Sequence, residues 1–93
     1  MQPFSLDEAQ SRLAALAGWQ VVAGELVKTF QFNDFVASLR FVNQVGELAE
    51  LAGHHPDIDI RYNRVRLALT TDDAGGLTQK DFDLASQAQK LSQ

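Results

Sequence analysis

The sequence contains no cysteine. That absence excludes disulfides, thiolate zinc sites and cysteine nucleophiles together. Proline occurs only twice, and the six glycines fall singly or as one pair. No proline-rich linker and no glycine-rich phosphate loop is therefore present. Basic charge is also short: eight Lys and Arg against twelve Asp and Glu leave a formal net charge of −4. That balance disfavours direct binding to nucleic acid or to an anionic membrane surface. No apolar run approaches the ~18 residues needed to span a bilayer. Met1-Gln2-Pro3-Phe4-Ser5-Leu6-Asp7-Glu8 has neither the basic nor the apolar region of a secretory signal, so the expected compartment is the cytoplasm. What is present is ordinary globular composition, 45% hydrophobic and 22% charged. Ninety-three residues make one domain, 1–93. A domain of this size buries only roughly 60–65% of its unfolded surface. With disulfides excluded, self-association is the expected extra support.

Hydrophobic spacing gives the order of elements. Ser5 and Glu8 form a capping box, followed by Ala9, Leu13, Leu16 and Ala17 at helical spacing, with Gly18 as the stop. Trp19–Val22 and Leu26–Phe32 read as strands around the turn Ala23-Gly24-Glu25. Asn33 and Asp34 cap the longest helix. Its expected apolar stripe is Phe35, Leu39, Val42, Val45, Ala49 and Ala52, and Gly53 and Pro56 end it. Phe41 and Leu48 lie off that stripe and mark a second face for subunit contact. Ile58, Ile60 and Tyr62 alternate with polar residues, as do Val65, Leu67 and Leu69 after a turn near Asn63-Arg64. Clean alternation means an antiparallel sheet with one buried face. Thr78 and Asp81 form a second capping box before a helix with Phe82, Ala85, Ala88 and Leu91 inward. The predicted fold is α+β: a four-stranded antiparallel sheet with three helices on one face, order α-β-β-α-β-β-α.

Only two histidines are present, adjacent at His54-His55-Pro56, between the long helix and the third strand. One reading is a polar helix end, with a cationic ring at the negative end of the helix dipole. The other is an acid–base site. Imidazole titrates near neutrality, so one ring can accept a proton while the other donates one. Glu50 stands four residues before His54, one turn below it on a helix, where a carboxylate can orient a ring. A metal site would draw N and O ligands from the histidines and from Asp57, Asp59, Asp72 or Asp73. The pattern has neither an i,i+4 histidine pair nor a dedicated acidic loop, so no metal is expected. No serine sits in a nucleophile elbow. Arg61, Arg64 and Arg66 interleave with Asp57 and Asp59 and read as a sheet edge guarded by charge.

The segment Glu50-x-x-x-His54-His55-Pro56, then Tyr62-Asn63-x-Val65, Thr71 and Ala74-Gly75-Gly76-Leu77-Thr78-x-x-Asp81, resembles the pterin-4a-carbinolamine dehydratases. Gly18-Trp19 and Phe30-x-Phe32-x-Asp34-Phe35 echo the same family, and the likeness runs from about Leu6 to Leu91. The order of elements read above is also that family's order. The resemblance implies dehydration of a 4a-hydroxytetrahydropterin to quinonoid dihydropterin, in tetrahydropterin recycling, with no metal or organic cofactor. It implies His54 and His55 as the acid–base pair, His55 the more direct, with Glu50 supporting them. His54, His55, Pro56, Thr71, Asp72 and Asp73 would form the substrate pocket.

The chain departs from the family pattern at Asp72, where a third histidine is usual. A carboxylate there accepts hydrogen bonds, and it serves as an acid only where burial raises its pKa. Lys80 stands where arginine is common, and Gly53 where an acidic residue is common. Asp72 is the feature favouring a second reading, a non-catalytic interaction protein on the same fold. Members of this family also serve as dimerisation cofactors of a homeodomain transcription factor, and distant ones assist Rubisco assembly. The resemblance further implies a homodimer that extends the sheet, or a homotetramer through the long helix.

Overall fold

The computed structural model describes residues 2–92. Ser5 is extended, and its Oγ accepts from the Glu8 N–H at 3.1 Å while Glu8 Oε1 accepts from the Ser5 N–H at 2.8 Å. This capping box opens α1, Leu6–Leu13. The Ser5 backbone N–H, and after it the Ser5 hydroxyl, hold the Glu8 carboxyl below its ordinary range. The helix ends five residues before Gly18. Residues 14–16 continue in tight turns, with the Leu16 N–H on the Leu13 carbonyl at 2.9 Å. Those turns still bury Leu16 and Trp19, so apolar spacing runs on past the helix itself.

Four strands follow the predicted order: β1, Gln20–Val22; β2, Glu25–Gln31; β3, Asp57–Arg61; and β4, Arg64–Leu69. All pairings are antiparallel, in the spatial order β1-β2-β4-β3. Ala23 and Gly24 both have left-handed φ, +51° and +79°, as a two-residue type I′ hairpin turn requires. Tyr62 is not part of β3. It occupies the β3–β4 turn at φ +50° and is exposed, because the hairpin closes one residue earlier than alternation alone suggests.

In register, Phe30 faces Val65 and Leu26 faces Leu69, and both pairs point toward the helices. Trp19, Phe30, Phe32 and Phe41 form a chain of ring contacts with centroids 4.7–5.8 Å apart. Lys28 also sits on this inner side. Its Nζ donates to Gln89 Oε1 and to the Ala17 carbonyl, and partial burial lowers its pKa.

The long helix α2, Phe35–Ala52, is capped by Asp34, whose Oδ1 accepts from the Ala37 N–H at 2.9 Å. Its buried line is Ser38, Phe41, Val45 and Ala49, flanked by Val42 and Leu48. The expected stripe is therefore rotated. Phe41 is core, stacked between Phe30 and Phe32, and Leu48 packs on the core. Phe35, Val36, Leu39 and Leu51 are the large apolar residues of α2 left outside. A short 3₁₀ turn, Asp72–Ala74, leads to α3, Gln79–Leu91. α3 buries Phe82, Leu84, Ala85 and Ala88. No helix among the described residues is long and apolar enough to cross a membrane.

Candidate active site

The site begins where α2 stops. Gly53 takes φ +61°, a left-handed conformation that costs most other residues roughly 1–2 kcal/mol. The Gly53 N–H bonds the Glu50 carbonyl at 3.2 Å, and the His54 N–H bonds the Ala49 carbonyl at 3.1 Å. This pair of bonds is a Schellman cap. It reverses the chain, so the two histidines diverge. His54 turns inward and is 9% exposed. The His55 side chain turns outward and is 62% exposed.

That divergence changes the expected partnership. Glu50 lies one turn below His54 in sequence, but its Oε2 pairs with Nε2 of His55. His54 reaches in the other direction, with Nε2 2.5 Å from Asp81 Oδ1. The i,i+4 expectation holds only while the helix continues, and Gly53 ends it.

Asp81 is wholly buried. Its Oδ2 accepts from the Thr78 N–H at 2.9 Å and from the Thr71 hydroxyl at 2.8 Å. Each threonine hydroxyl has one proton. Thr71 spends its proton on Asp81, so the Thr78 hydroxyl donates to Thr71 Oγ1, 2.8 Å away. The carboxylate that completes the capping box of α3 is thus also the partner of His54. The bond joins a carboxylate in the first turn of α3 to an imidazole just past the C-terminus of α2. With Asp81 accepting on both oxygens, Nε2 of His54 is the protonated nitrogen.

A cleft of about 220 Å³ opens against these groups. Gly53, His54 and His55 line one side, Thr70–Asp73 the other, and Lys80 closes it. The structure thus brings together His54, His55, Thr71, Asp72 and Asp73. Glu50 and Pro56 do not line the cleft. Glu50 enters only through its bond to His55 and lies on the outward groove of α2. Asp72 and Asp73 are exposed on the 3₁₀ turn, which is fixed by the Thr71–Gly76 bridge and by Ala74 and Gly75 N–H bonds to the Thr71 carbonyl. Larger depressions, about 360 Å³ between α1 and α3 and about 710 Å³ along α2, contain no histidine. Among the described residues no group of three or more His, Asp or Glu side chains is placed to hold a metal ion.

Gly53, Thr70 and Lys80 line the cleft beyond the expected set, and Asp81 and Thr78 join the site through His54 and Thr71. Asp81 was readable from sequence only as a cap, since its bond to His54 joins positions 27 residues apart. Lys80 is marked in the sequence only by the resemblance, as standing where arginine is common.

The sequence matches the family model of pterin 4 alpha carbinolamine dehydratase over residues 2–91. It is 61% identical over 82 residues to a protein of Acidobacterium capsulatum provisionally named as a pterin-4-alpha-carbinolamine dehydratase, covering 88% of this chain and 89% of that one. A protein of Chloroflexus aurantiacus with the same provisional name is 54% identical over 91 residues, 98% of each chain. Among solved structures, a transcriptional coactivator/pterin dehydratase from Brucella melitensis superposes with a TM-score of 0.95 at 31% identity, covering 99% of this chain and 100% of that one.

Proposed function

This chain belongs to the pterin-4a-carbinolamine dehydratase family, and from that premise we propose that it dehydrates a 4a-hydroxytetrahydropterin to quinonoid dihydropterin. The observation that carries this reading is the pair of diverging histidines at one cleft, one exposed and one held by a buried carboxylate. In the reaction the N5–H proton leaves to a base, the electron pair forms the N5=C4a double bond, and the C4a–O bond breaks. The departing hydroxyl takes a proton from an acid and leaves as water. Two imidazoles on one cleft supply an acceptor and a donor at neutral pH without a cofactor or a metal.

His55 is the group that exchanges the proton most directly. Its ring is open to a ligand, and Glu50 orients it. His54, bonded to Asp81 through Nε2, presents its Nδ1 side as a fixed partner. At about 220 Å³ the cleft takes the reacting edge of a bicyclic pterin and leaves the remainder outside. Asp72 and Asp73 supply acceptors for pterin N–H groups. All of 1–93 is taken as one such domain, working in the cytoplasm.

The family-level expectation of a homodimer or homotetramer attaches to the outward face of α2. Phe35, Val36 and Leu39 are 44%, 58% and 39% exposed there. Light scattering on a sizing column should give two or four times the chain mass at micromolar protein, and a monomer would defeat the assembly.

Binding tests the function before turnover does. Titration with 7,8-dihydrobiopterin, a stable substrate mimic, should move the backbone amide resonances of His54, His55, Thr71, Asp72 and Asp73 saturably. No saturable shift at these positions would remove the dehydratase reading. It would leave the non-catalytic interaction protein, for which Asp72 is the supporting feature.

A further inference from the structure

The sheet face turned away from the helices carries the second concentration of chemistry. Three of the five arginines in the sequence, Arg61, Arg64 and Arg66, lie on it. They were expected to guard a sheet edge, but β4 is an interior strand, so Arg64 and Arg66 stand in mid-sheet. In register, Arg64 is directly opposite Arg61 on β3 and Gln31 on β2. Arg66 is opposite Asp59 and Thr29. Together Thr29, Asp59, Arg61, Arg64 and Arg66 line a depression of about 130 Å³.

The charges there do not cancel. Asp59 is the one carboxylate of the depression, and it is engaged by Arg61, Nε to Oδ1 3.2 Å. Among the described residues Arg64 and Arg66 make no ion pair. Like charges directly opposite across two strands destabilise a sheet. Here three guanidinium groups meet one carboxylate, in a chain whose overall charge is −4. An acidic chain that keeps an uncompensated cationic hollow at mid-sheet has a site suited to an anion. The donors match a tetrahedral oxyanion: planar guanidinium forks bind phosphate bidentately, and the Thr29 hydroxyl adds a neutral donor. The hollow has room for one such group and its waters and none for a folded partner.

We propose that this depression binds a small phosphate-bearing anion, on the face opposite the histidine cleft. The test is a titration with inorganic phosphate at fixed ionic strength, chloride replacing phosphate in the control, read by backbone amide resonances. Saturable shifts are expected at Thr29, Arg64 and Arg66. The double variant Arg64→Ala/Arg66→Ala should weaken binding at least tenfold while the resonances of His54, His55 and Asp72 stay in place. A parallel titration with phenyl phosphate separates the sources. Tighter binding of the ester assigns the site to a phosphomonoester, and equal or weaker binding assigns it to free phosphate. Shifts no larger than those with chloride, shifts undiminished in the double variant, or shifts confined to the histidine cleft would each overturn the proposal. Should the double variant lose its folded spectrum, Arg66→Lys serves instead. It keeps the charge and loses the fork, so unchanged phosphate affinity would overturn the bidentate site.

Discussion

Asp81→Ala should lose about 3–5 kcal/mol of unfolding free energy in urea, the largest stability change of any single substitution in the site. Three donors converge on this one buried carboxylate: the His54 ring, the Thr71 hydroxyl and the Thr78 backbone N–H. Removing it strands all three in an environment that leaves no other side-chain donor or acceptor unsatisfied among the described residues. It also opens the capping box of α3. Asp81→Asn keeps the shape but turns an N–H toward a donor, and should cost less, about 1–3 kcal/mol. His54→Ala and Asp81→Ala should be strongly non-additive, because each single change leaves the other group buried without its partner. Additive losses within about 0.5 kcal/mol would mean that the pair is not coupled.

His55→Ala should do the reverse. Its side chain is 62% exposed and its partner Glu50 is 78% exposed, so stability should move by no more than about 0.5 kcal/mol. Turnover should fall about 10²–10⁴-fold, the usual contribution of a positioned general acid or base. Steady-state kinetics against an unchanged urea midpoint separates this result from a folding defect. Loss should appear in kcat more than in KM, because the proton transfer belongs to the transition state. Glu50→Gln should give a smaller loss, since it keeps the ring in the cleft and removes only the carboxylate that orients it. The two neighbouring histidines thus divide their work. His54 ties the end of α2 to the start of α3, and His55, exposed at the cleft, is the one proposed to meet the ligand.

Much of this was readable from local rules. Both capping boxes depend on residues three apart, so Ser5–Glu8 and Thr78–Asp81 could be recognised without the fold. The alternating runs around Phe30 and Leu67 give the antiparallel sheet and its buried face. A periodic rule fails once it runs past the element that supports it. Leu16 is buried at helical spacing, but tight turns put it there rather than a longer α1. Glu50 meets His55 because Gly53 breaks the helix between them. On α2 the expected Val42, Val45 and Ala49 do face inward, but apolar residues occur on both sides of the helix, and the ring contacts of Phe41 turn its buried face away from Phe35 and Leu39. The bond from His54 to Asp81 was beyond any local rule, since it forms only when two helix ends meet across the fold.

The most direct test of the account is the rate at which 4a-hydroxytetrahydropterin loses water, followed by absorbance, with and without the purified protein. The account predicts dehydration faster than the spontaneous reaction, proportional to protein concentration, and returned to near the spontaneous rate by His55→Ala. A wild-type rate equal to the spontaneous one, in protein that still binds dihydrobiopterin at His54 and His55, would contradict it.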